Sequence, residues 1–406
     1  MLAQTFFAQE LTLGVELRPR YEYRNGYNTL LDNTQNPVSF VSQRSRLNLG
    51  LYYDNLSFVV KAQDIRVWGD VATNQTQKHN GLSIFEGYAQ YHLDSIWNFR
   101  IGRQVLSYDN QRIFGEVNWA QQGRSHDALL VLIRPNKKQE LHIGASVSSN
   151  AETIARSAYS VNNYKNMQLL WYQYRFENSK LSALFLNNGY EFETDQQNLK
   201  TQYMQTFGIF YRFKSYKWFG EVSAYKQTGT QNNLNISAWY GGIALGVLPS
   251  ENWQIVVGAE YLSGTAMDDT SKTNKSFNPL FGTNHKFNGF MDYFYVGNHI
   301  NSVGLMDIYA QLKFKKNRFS FNLLPHLFFS AENVWNVSEP MDNYLGTEID
   351  VVTTYKLHKY ISAELGYSQL FGSQTMDVLK GGDSNRCQNW AWVMVTVKPQ
   401  IFSLKK

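Results

Sequence analysis

The sequence predicts an all-β protein, a transmembrane antiparallel β-barrel of about 18 strands, and three observations support this fold. Apolar and polar residues alternate with a period of two in segments of about ten residues. These segments recur along the whole chain, and tight turns alternate with long polar loops between them. No stretch approaches the roughly 20 uninterrupted apolar residues that a spanning helix needs. Any passage through a membrane must therefore be built from strands.

Segments with one apolar face and one polar face begin with the first strand. There, Leu13, Val15 and Leu17 alternate with charged residues that include Glu16 and Arg18. A single strand of this kind would equally suit a soluble sandwich, whereas repetition along the chain favours a membrane barrel. The alternation recurs where Leu47, Leu49, Leu51 and Tyr53 alternate with Arg44, Arg46 and Asn48, where Phe85, Ala89, Tyr91 and Leu93 alternate with Glu86, Tyr88, Gln90 and His92, and where Met306, Ile308, Ala310, Leu312 and Phe314 alternate with Asp307, Tyr309, Gln311 and Lys313.

The connections between the strands alternate in length. Eight tight turns interleaved with nine long loops require eighteen strands and place both termini on the short-turn side, which is periplasmic in outer-membrane barrels of the porin type. The tight turns are 53–56, 93–96, 135–138, 177–180, 214–217, 249–252, 315–318 and 358–360, and the long loops are 25–38, 67–82, 103–123, 149–165, 187–202, 227–235, 263–302, 331–344 and 371–388.

Aromatic residues near the predicted strand ends are expected to form the interfacial girdles of the barrel. Two segments, 128–133 and 390–397, are apolar on both faces, so parity does not assign their inward residues. Phe402 fits the aromatic residue that often ends the last strand of a barrel. The predicted girdle residues are Tyr52 and Tyr53, Trp171 and Tyr172, Tyr216 and Trp218, and Trp390 and Trp392.

The composition excludes several other classes of protein. Cys387 is the single cysteine, so neither a disulfide framework nor a cysteine-ligated zinc site is expected. The net charge of +5 is mildly basic and the lysines and arginines form no runs, which excludes a nucleic-acid partner. Metal-ligand spacings and glycine-rich phosphate loops are missing from the sequence, so no cofactor is expected.

The first residues, 1–8, are interpreted as the remnant of a signal peptide, because they are apolar and end in Ala8. They lack a basic region and a full apolar core, so an ordinary disordered terminus is the alternative. Residues 9–406 are predicted to form a single barrel domain.

Arginines are concentrated in the first third of the chain, and inward charges of a barrel face its lumen and tune its selectivity. Strands 1 to 6 are therefore expected to form a basic wall opposite inward carboxylates of later strands, a field that orients anionic solutes. Alternatively, Glu16, Glu22 and Glu86 neutralise their arginine neighbours in structural ion pairs, and for any single arginine both interpretations stay open. The opposing carboxylates are Glu221, Glu260, Asp307, Glu348, Asp350 and Glu364.

A string of residues between 86 and 127 resembles the alginate export porin family. It consists of Glu86-Gly87-Tyr88, Gly102-Arg103-Gln104, Tyr108, Arg112, Gly115, Trp119, Gly123-Arg124 and Asp127, and it is flanked by Arg44 and Arg46 and by Phe277, Leu280, His285, Gly289 and Asp292. The resemblance implies an eighteen-stranded outer-membrane channel with a positively charged conduit for an acidic polysaccharide. The chain departs from the family at His126, where an aromatic residue is more frequent, and it looks shorter than the dedicated exporters.

The residues expected to line the conduit come from this string and from the early strands. They are Arg18, Arg20, Arg44, Arg46, Glu86, Arg100, Arg103, Gln104, Arg112, Arg124 and Asp127. Loop 103–123, with or without loop 263–302, is expected to fold inward and narrow the pore, because it carries Arg112 and Trp119 among small residues and long loops on barrels are commonly functional.

The expected function is an outer-membrane channel of a Gram-negative bacterium for the passive diffusion of anionic polysaccharide, oligosaccharide or small anionic solutes. Its partners would be the lipid membrane, an anionic saccharide and periplasmic transport proteins. A general or substrate-specific diffusion porin for polar nutrients is the alternative. An outer-membrane barrel enzyme is less favoured, because the acid and base pairs His92 with Glu86 and His285 with Asp292 lack a convincing nucleophile.

Overall fold

Eighteen antiparallel strands form one closed barrel in the computed structural model, which confirms the predicted fold and strand count. The first nine strands are β1 (Glu10–Asn25), β2 (Val38–Tyr53), β3 (Leu56–Val67), β4 (Leu82–His92), β5 (Trp97–Gln104), β6 (His126–Asn136), β7 (Gln139–Val147), β8 (Asn166–Arg175) and β9 (Ser179–Glu193). The remaining nine are β10 (Leu199–Lys214), β11 (Trp218–Gln231), β12 (Leu234–Val247), β13 (Trp253–Leu262), β14 (Leu305–Lys316), β15 (Phe319–Phe329), β16 (Tyr344–His358), β17 (Ile361–Gly372) and β18, which consists of Gln388–Val397 and Gln400–Lys405.

The barrel closes where β1 pairs with both parts of β18 as well as with β2. Outside the wall lie only short elements of the described chain, among them the helix α1 (Gln374–Lys380), which Ser373 caps. None of the described helices is long and apolar enough to cross a membrane. The structure describes residues 9–405 except 75–80, 153, 155–157, 162–163, 195–197, 295–297 and 300, so the predicted signal remnant 1–8 lies outside the described residues.

All eight predicted tight turns connect consecutive strands, but two predicted long loops are wrong. β11 and β12 meet at Asn232 and Asn233, whose φ angles of 51° and 61° suit a two-residue hairpin turn. Likewise, β9 continues to Glu193 and β10 begins at Leu199, so most of the predicted loop 187–202 is strand. The sequence suggested loops there because both faces of these strand ends are polar. Strands that project beyond the membrane meet water on both faces and need no apolar face.

Burial alternates along the strands as the dyad pattern predicts. Leu17 is 42% exposed on the outer face of β1, whereas its neighbour Arg18 is only 4% exposed inside. The apolar segment 128–133 also alternates, since Leu130 and Leu132 are buried inside and Leu129 lies outside. Inward apolar residues are stable here because loops fill the lumen beside them.

The predicted girdle is correct at some positions and wrong at others. Tyr53, Tyr216 and Trp218 are exposed on the outer surface, and Phe402 lies on the outer face of β18, whereas Tyr52 lines the cavity inside the barrel. In contrast, Trp171, Trp390 and Trp392 are buried and face the lumen, where they pack against the inner loops.

A β-bulge in β4 interrupts the alternation of inward and outward residues that the sequence predicted for this strand. Phe85 was expected on the outer face and Glu86 on the inner face, but both are buried. The β3–β4 register shifts between Lys61 and Ala62, so the extra residue lets both side chains point inward. Phe85 then lies beneath the guanidinium of Arg46, 3.7 Å from ring centroid to Cζ.

Two inward-folded loops, 105–125 and 263–304, fill the long-loop half of the lumen. They dock on each other through a bridge between Phe114 and Phe281, and the Gly115 N–H donates to the Phe281 carbonyl over 2.9 Å. The Thr283 N–H donates to the Gln111 carbonyl over the same distance. Their buried side chains join the inner wall in one hydrophobic cluster. The loop after β5 thus folds inward as expected, and the loop after β13, which the sequence left open, does so with it.

Candidate functional site

The basic wall expected over strands 1 to 6 is smaller in the structure. Four inward arginines on the first two strands form a compact group, and the name basic wall is used for these four from here on. Arg18 and Arg20 lie on β1, and Arg44 and Arg46 lie on β2, where Arg18 is paired directly with Arg44 across the ladder. All four side chains are buried. Their burial is accounted for by the segment of loop 105–125 that covers them, residues 118–122, here called the carbonyl segment.

Arg18 donates most of its hydrogen bonds to main-chain carbonyls. Its Nη1 binds the Asn118 carbonyl at 2.7 Å, and its Nη2 binds the carbonyls of Trp119 at 3.1 Å and Ala120 at 3.2 Å. The Gln121 side-chain oxygen accepts from Nε at 3.1 Å and from Nη2 at 2.9 Å. Arg18 forms no ion pair with a described carboxylate. A buried charge needs such compensation, so these oxygens replace its hydration shell.

The other three arginines contact the same segment. Arg20 donates to the Trp119 carbonyl at 2.8 Å and lies over the Trp119 ring. Arg44 binds the Asn118 side-chain oxygen at 3.0 Å, and Arg46 binds the Gln122 carbonyl at 3.3 Å. The basic wall therefore holds the carbonyl segment with guanidinium donors from two adjacent strands.

Two of these arginines also have carboxylate partners on β1. Glu16 forms a buried ion pair with Arg44, and Glu22 pairs with Arg20 at 2.8 Å. The alternative interpretation, in which a glutamate neutralises its arginine neighbour in a structural ion pair, therefore applies to Arg20 and Arg44. It does not apply to Arg18 or Arg46.

A second part of the lumen wall carries four buried carboxylates, here called the acidic wall: Glu260 on β13, Asp307 on β14, and Glu348 and Asp350 on β16. Residues 286–292 of loop 263–304, here called the amide segment, cover it. The Asn288 side chain donates to Glu260 at 2.8 Å and to Asp307 at 3.1 Å.

Main-chain N–H groups complete this contact. The Met291 N–H donates to Glu348 at 2.8 Å, and the Phe290 N–H donates to Asp350 at 3.2 Å. Gly289 permits the close approach, because a Cβ atom there would lie 2.7 Å from the Glu348 carboxyl and its φ is 84°. The acidic wall is thus covered by loop donors.

Arg112 connects loop 105–125 to the acidic wall. It is 1% exposed, forms an ion pair with Glu260, and donates to the Asn288 side-chain oxygen at 3.2 Å. Burial alone would lower the Arg112 pKa, but Glu260 and Tyr240 together outweigh it and raise that pKa. Arg112 also stacks on Phe287, with its Cζ 3.8 Å from the ring centroid. Arg112 is therefore an anchor between two loops.

The other end of loop 105–125 binds β8, β9 and β11. The Trp171 indole donates to the Asp109 carboxylate at 3.2 Å, and Ser182 donates to the same group. Asn110 donates to Glu221 at 3.2 Å. Burial raises the pKa of the Asp109 carboxyl. The loop therefore crosses the lumen from β8–β11 to the basic wall.

A cavity of about 700 Å³ lies along the inner face of β1 to β5, between the carbonyl segment and the short-turn end. Two of its cations form no ion pair with a described carboxylate: Arg46, which donates to Gln63, and Arg100, which donates to Gln90, each over 2.7 Å. The charged residues that line the cavity are Glu16, Arg46, Lys61, Glu86, Arg100, Glu116 and Lys398.

The remaining predicted conduit residues are not brought together in the cavity. Gln104 is buried and donates to the Ala128 carbonyl at 2.9 Å, and Arg124 donates to the Gly282 carbonyl at 3.0 Å. Both stabilise the wall or the loop contacts. His126, which stands where the family more often has an aromatic residue, packs against Phe114 and Phe281 as an aromatic ring would.

The positions of Arg103 and Asp127 differ most clearly from those expected for residues that line the conduit. They are cross-strand partners on β5 and β6 and form a 2.8 Å ion pair. Both share parity with the exposed outer residues Ile101 and Leu129. The pair therefore lies on the outer surface of the barrel wall.

The acid and base pairs proposed for an enzyme lie in separate hydrogen-bonded groups. His285 binds Asp292 at 2.9 Å, and that carboxylate also accepts from the Tyr27 hydroxyl. His92 contacts Ser57 at 3.2 Å and also the Asn98 side chain. Ser57, His92 and Asn98 all lie in paired strands, whose N–H groups are used by the ladder. An oxyanion needs donors that are free to receive it, so this serine lacks a main feature of a hydrolase site.

A closed eighteen-stranded barrel with an apolar outer face and a charged lumen defines an outer-membrane channel of a Gram-negative bacterium. The sequence model of the alginate export family matches residues 9–386, and the chain belongs to this family. A search of curated proteins gave no match. Both the family and the fold are of channel type rather than enzyme type.

Solved structures share the fold at low sequence identity. OccAB4 of Acinetobacter baumannii is 10% identical, with a TM-score of 0.65 and 98% of each chain covered. OpdL of Pseudomonas aeruginosa is 9% identical, with a TM-score of 0.64 and coverage of 97% of this chain and 99% of that chain. OccK1 (OpdK) of Pseudomonas aeruginosa is 11% identical, with a TM-score of 0.62 and coverage of 98% and 99%. At these identities the similarity concerns the fold alone.

Proposed function

We propose that this outer-membrane channel conducts anionic solutes, carboxylated saccharides or smaller organic anions, along the cavity beside the basic wall. One observation carries the proposal: the cavity presents Arg46 and Arg100, which form no ion pair with a described carboxylate, whereas the acidic wall is covered by the amide segment. The cavity is therefore lined by four cations and three carboxylates, and the carboxylates of the acidic wall are not among them: the lining charges are Arg46, Lys61, Arg100 and Lys398, and Glu16, Glu86 and Glu116. The conduit comprises fewer residues than the sequence suggested, because Arg112 is an anchor and Arg103 and Asp127 lie outside.

The physical basis is the field of charges that remain ionised in a narrow lumen. Arginine stays protonated at any working pH, and a wall of low dielectric constant focuses its field into the cavity. Guanidinium groups also bind carboxylates through two parallel hydrogen bonds, which favours carboxylated solutes over simple ions. Pseudomonas aeruginosa OpdK, a barrel of the same fold, has a structure solved with vanillate, an organic anion.

Three further features belong to this proposal. The termini lie on the short-turn side, which is the periplasmic side of outer-membrane barrels. Residues 9–406 form the single barrel domain. Periplasmic transport proteins would meet the channel at the short-turn end.

The reversal potential under a salt gradient tests the proposed selectivity. The purified channel should prefer anions at about 0.1 M salt, where the screening length is about 10 Å, and less so at 1 M, where it falls to about 3 Å. Arg100→Gln should shift the reversal potential toward cation selectivity. Arg103→Gln provides a matched control, because it removes one positive charge from the outer face of the same strand and should leave the potential unchanged.

A wild-type channel that prefers cations at low salt would refute the proposal. So would equal shifts in the Arg100 and Arg103 variants, because they would show that total charge matters more than the lining of the cavity. In either case the general diffusion porin becomes the better account.

A further inference from the structure

We infer that the carbonyl segment is an autoinhibitory occupant of an anion-binding cradle formed by Arg18, Arg20 and Arg44, and that an anion with several carboxylates displaces it. This inference rests on the proposed anion channel and adds a means of regulating it. The segment occupies the guanidinium donors with neutral oxygens. An entering polyanion offers the same donors charged oxygens.

The cradle has the donor set of a carboxylate-binding site. Arg18 alone directs Nε, Nη1 and Nη2 at oxygens of residues 118–121. Arg44 lies opposite Arg18 on the neighbouring strand, and Arg20 follows two residues along β1, about 7 Å away at the rise of a strand. Glu22 and Glu16 bind part of this array, and a chain of carboxylates could occupy the donors that residues 118–121 now bind.

The carbonyl segment supplies no charge to the cradle: Glu22 and Glu16 pair with Arg20 and Arg44, whereas Arg18 forms no ion pair with a described carboxylate. The residues of the segment, Asn118-Trp119-Ala120-Gln121-Gln122, contain no acidic side chain. Hydrogen bonds between a guanidinium and a carboxylate are shorter and roughly twice as strong as those between neutral groups, and they also neutralise the buried charge. A carboxylate is therefore a better partner for Arg18 than the carbonyls that it now binds.

The cavity gives solute access to the cradle. Asn118 lines the cavity, and its side-chain oxygen binds Arg44 at 3.0 Å. Arg46 lines the cavity as well and binds the Gln122 carbonyl, so the segment is held at the cavity edge. Contacts on the far side of the segment favour its return: the Trp119 ring stacks on His285 at 4.7 Å and contacts Trp392 at 4.6 Å.

Single-channel recording of the full chain in planar bilayers tests the inference. Tetragalacturonate added at low salt should raise the conductance several-fold, and maltotetraose, a neutral sugar of equal length, should not. Arg18→Gln removes donors without stranding a carboxylate, so it should raise the conductance without any probe and abolish the response to tetragalacturonate. Arg134→Gln, which removes a charge at an exposed strand end, is the control and should behave as the wild type.

A tether separates displacement from simple block. Gln121 donates to the Ser42 hydroxyl at 3.0 Å, so Ser42→Cys with Gln121→Cys, in a Cys387→Ser background, can be joined by a short bismaleimide. The conductance of the double-cysteine variant should rise with tetragalacturonate before cross-linking (the unjoined pair) and should not rise after cross-linking (the joined pair). A decrease in current in both forms, or an equal increase in both, would overturn the inference.

These outcomes are independent of the selectivity test. If the wild type prefers cations without any probe, the proposed function fails, while an increase in conductance limited to the unjoined pair would still establish the cradle. If the wild type prefers anions but tetragalacturonate only reduces the current, the channel function stands and the cradle fails.

Discussion

The basic and acidic walls hold their loops through opposite poles of the peptide backbone. On the basic wall, guanidinium groups of β1 and β2 bind carbonyl oxygens of residues 118–122. On the acidic wall, carboxylates of β16 bind the N–H groups of Phe290 and Met291. The loop on the basic wall thus presents carbonyl oxygens, and the loop on the acidic wall presents N–H groups. Lumen charges that look like a transport field in the sequence are thus largely used for loop docking.

The two walls differ in what remains accessible. Asp307, Glu348 and Asp350 are fully buried beneath the amide segment. The basic wall, in contrast, borders the cavity through Arg46, and Arg100 of β5 extends it. Selectivity should therefore depend on the few charges left without a partner. A count of all inward charges would overestimate the opposing acidic field.

The largest expected effect concerns Arg112, which joins the two loops. Arg112→Met leaves Glu260 buried without its cation, and loss of one partner of such a pair costs about 3–5 kcal/mol. The loops should separate while the barrel remains folded. Amide exchange of Gly115 and Thr283, whose N–H groups bridge the loops, should increase by orders of magnitude.

Replacing both partners provides the control for this effect. Arg112→Met combined with Glu260→Gln removes the stranded charge and should recover much of the protection. Equal exchange in the single and double variants would show that the ion pair does not join the loops.

A smaller effect should distinguish the two loops by their response to pH. His299 lies in loop 263–304 and donates to the Gly304 carbonyl at 2.8 Å. Burial lowers the pKa of His299 from 6.5 to about 3. Between these values the opened loop binds a proton that the docked loop excludes, so docking is fully favoured above pH 6.5 and weakens as pH falls toward 3.

Acidification from pH 7 to 5 should therefore weaken docking of this loop by about 2 kcal/mol, at 1.36 kcal/mol per pH unit below 6.5. Amide exchange, corrected for its intrinsic pH dependence, measures the change. His299→Gln should remove the difference between the two pH values. The carbonyl segment, held by arginines that stay charged, serves as the internal reference. A variant that keeps the full pH response would exclude His299 as its source.

The smallest effect is expected on the outer surface. Arg103→Gln or Asp127→Asn breaks an exposed ion pair, and such pairs contribute at most about 1 kcal/mol. The urea midpoint of barrel unfolding should barely move in either variant. A large loss of stability would indicate that the pair fixes the β5–β6 register, and would place it among the structural elements of the wall.

Much of the fold could be predicted from the sequence, because dyad alternation and turn chemistry are local properties. The eighteen strands follow from them, whereas the inward folding of loop 103–123 was predicted from its length and from its Arg112 and Trp119. Errors arose where local rules stop applying. The bulge at Phe85 shifts the parity of β4, and the asparagine hairpin at Asn232 and Asn233 looks like a loop because its flanking residues are polar.

The site was harder to predict than the fold. Main-chain carbonyls have no sequence signature, so nothing in the order of residues indicates that Arg18 binds residues 118–120. The outward position of Arg103 depends on the register of β5, which the motif string does not contain. Trp390 and Trp392 look like girdle residues until the loops that cover them are known.

The position of Trp119 has a consequence for the seam of the barrel. This residue belongs to the connection between β5 and β6, yet it contacts Arg20 on β1 and Trp390 and Trp392 on β18, the two strands that meet at the seam. The first and last strands of the barrel therefore contact the same residue of an early loop. Docking of this loop should therefore help to hold the seam closed from inside the lumen, because one indole ring contacts both strands.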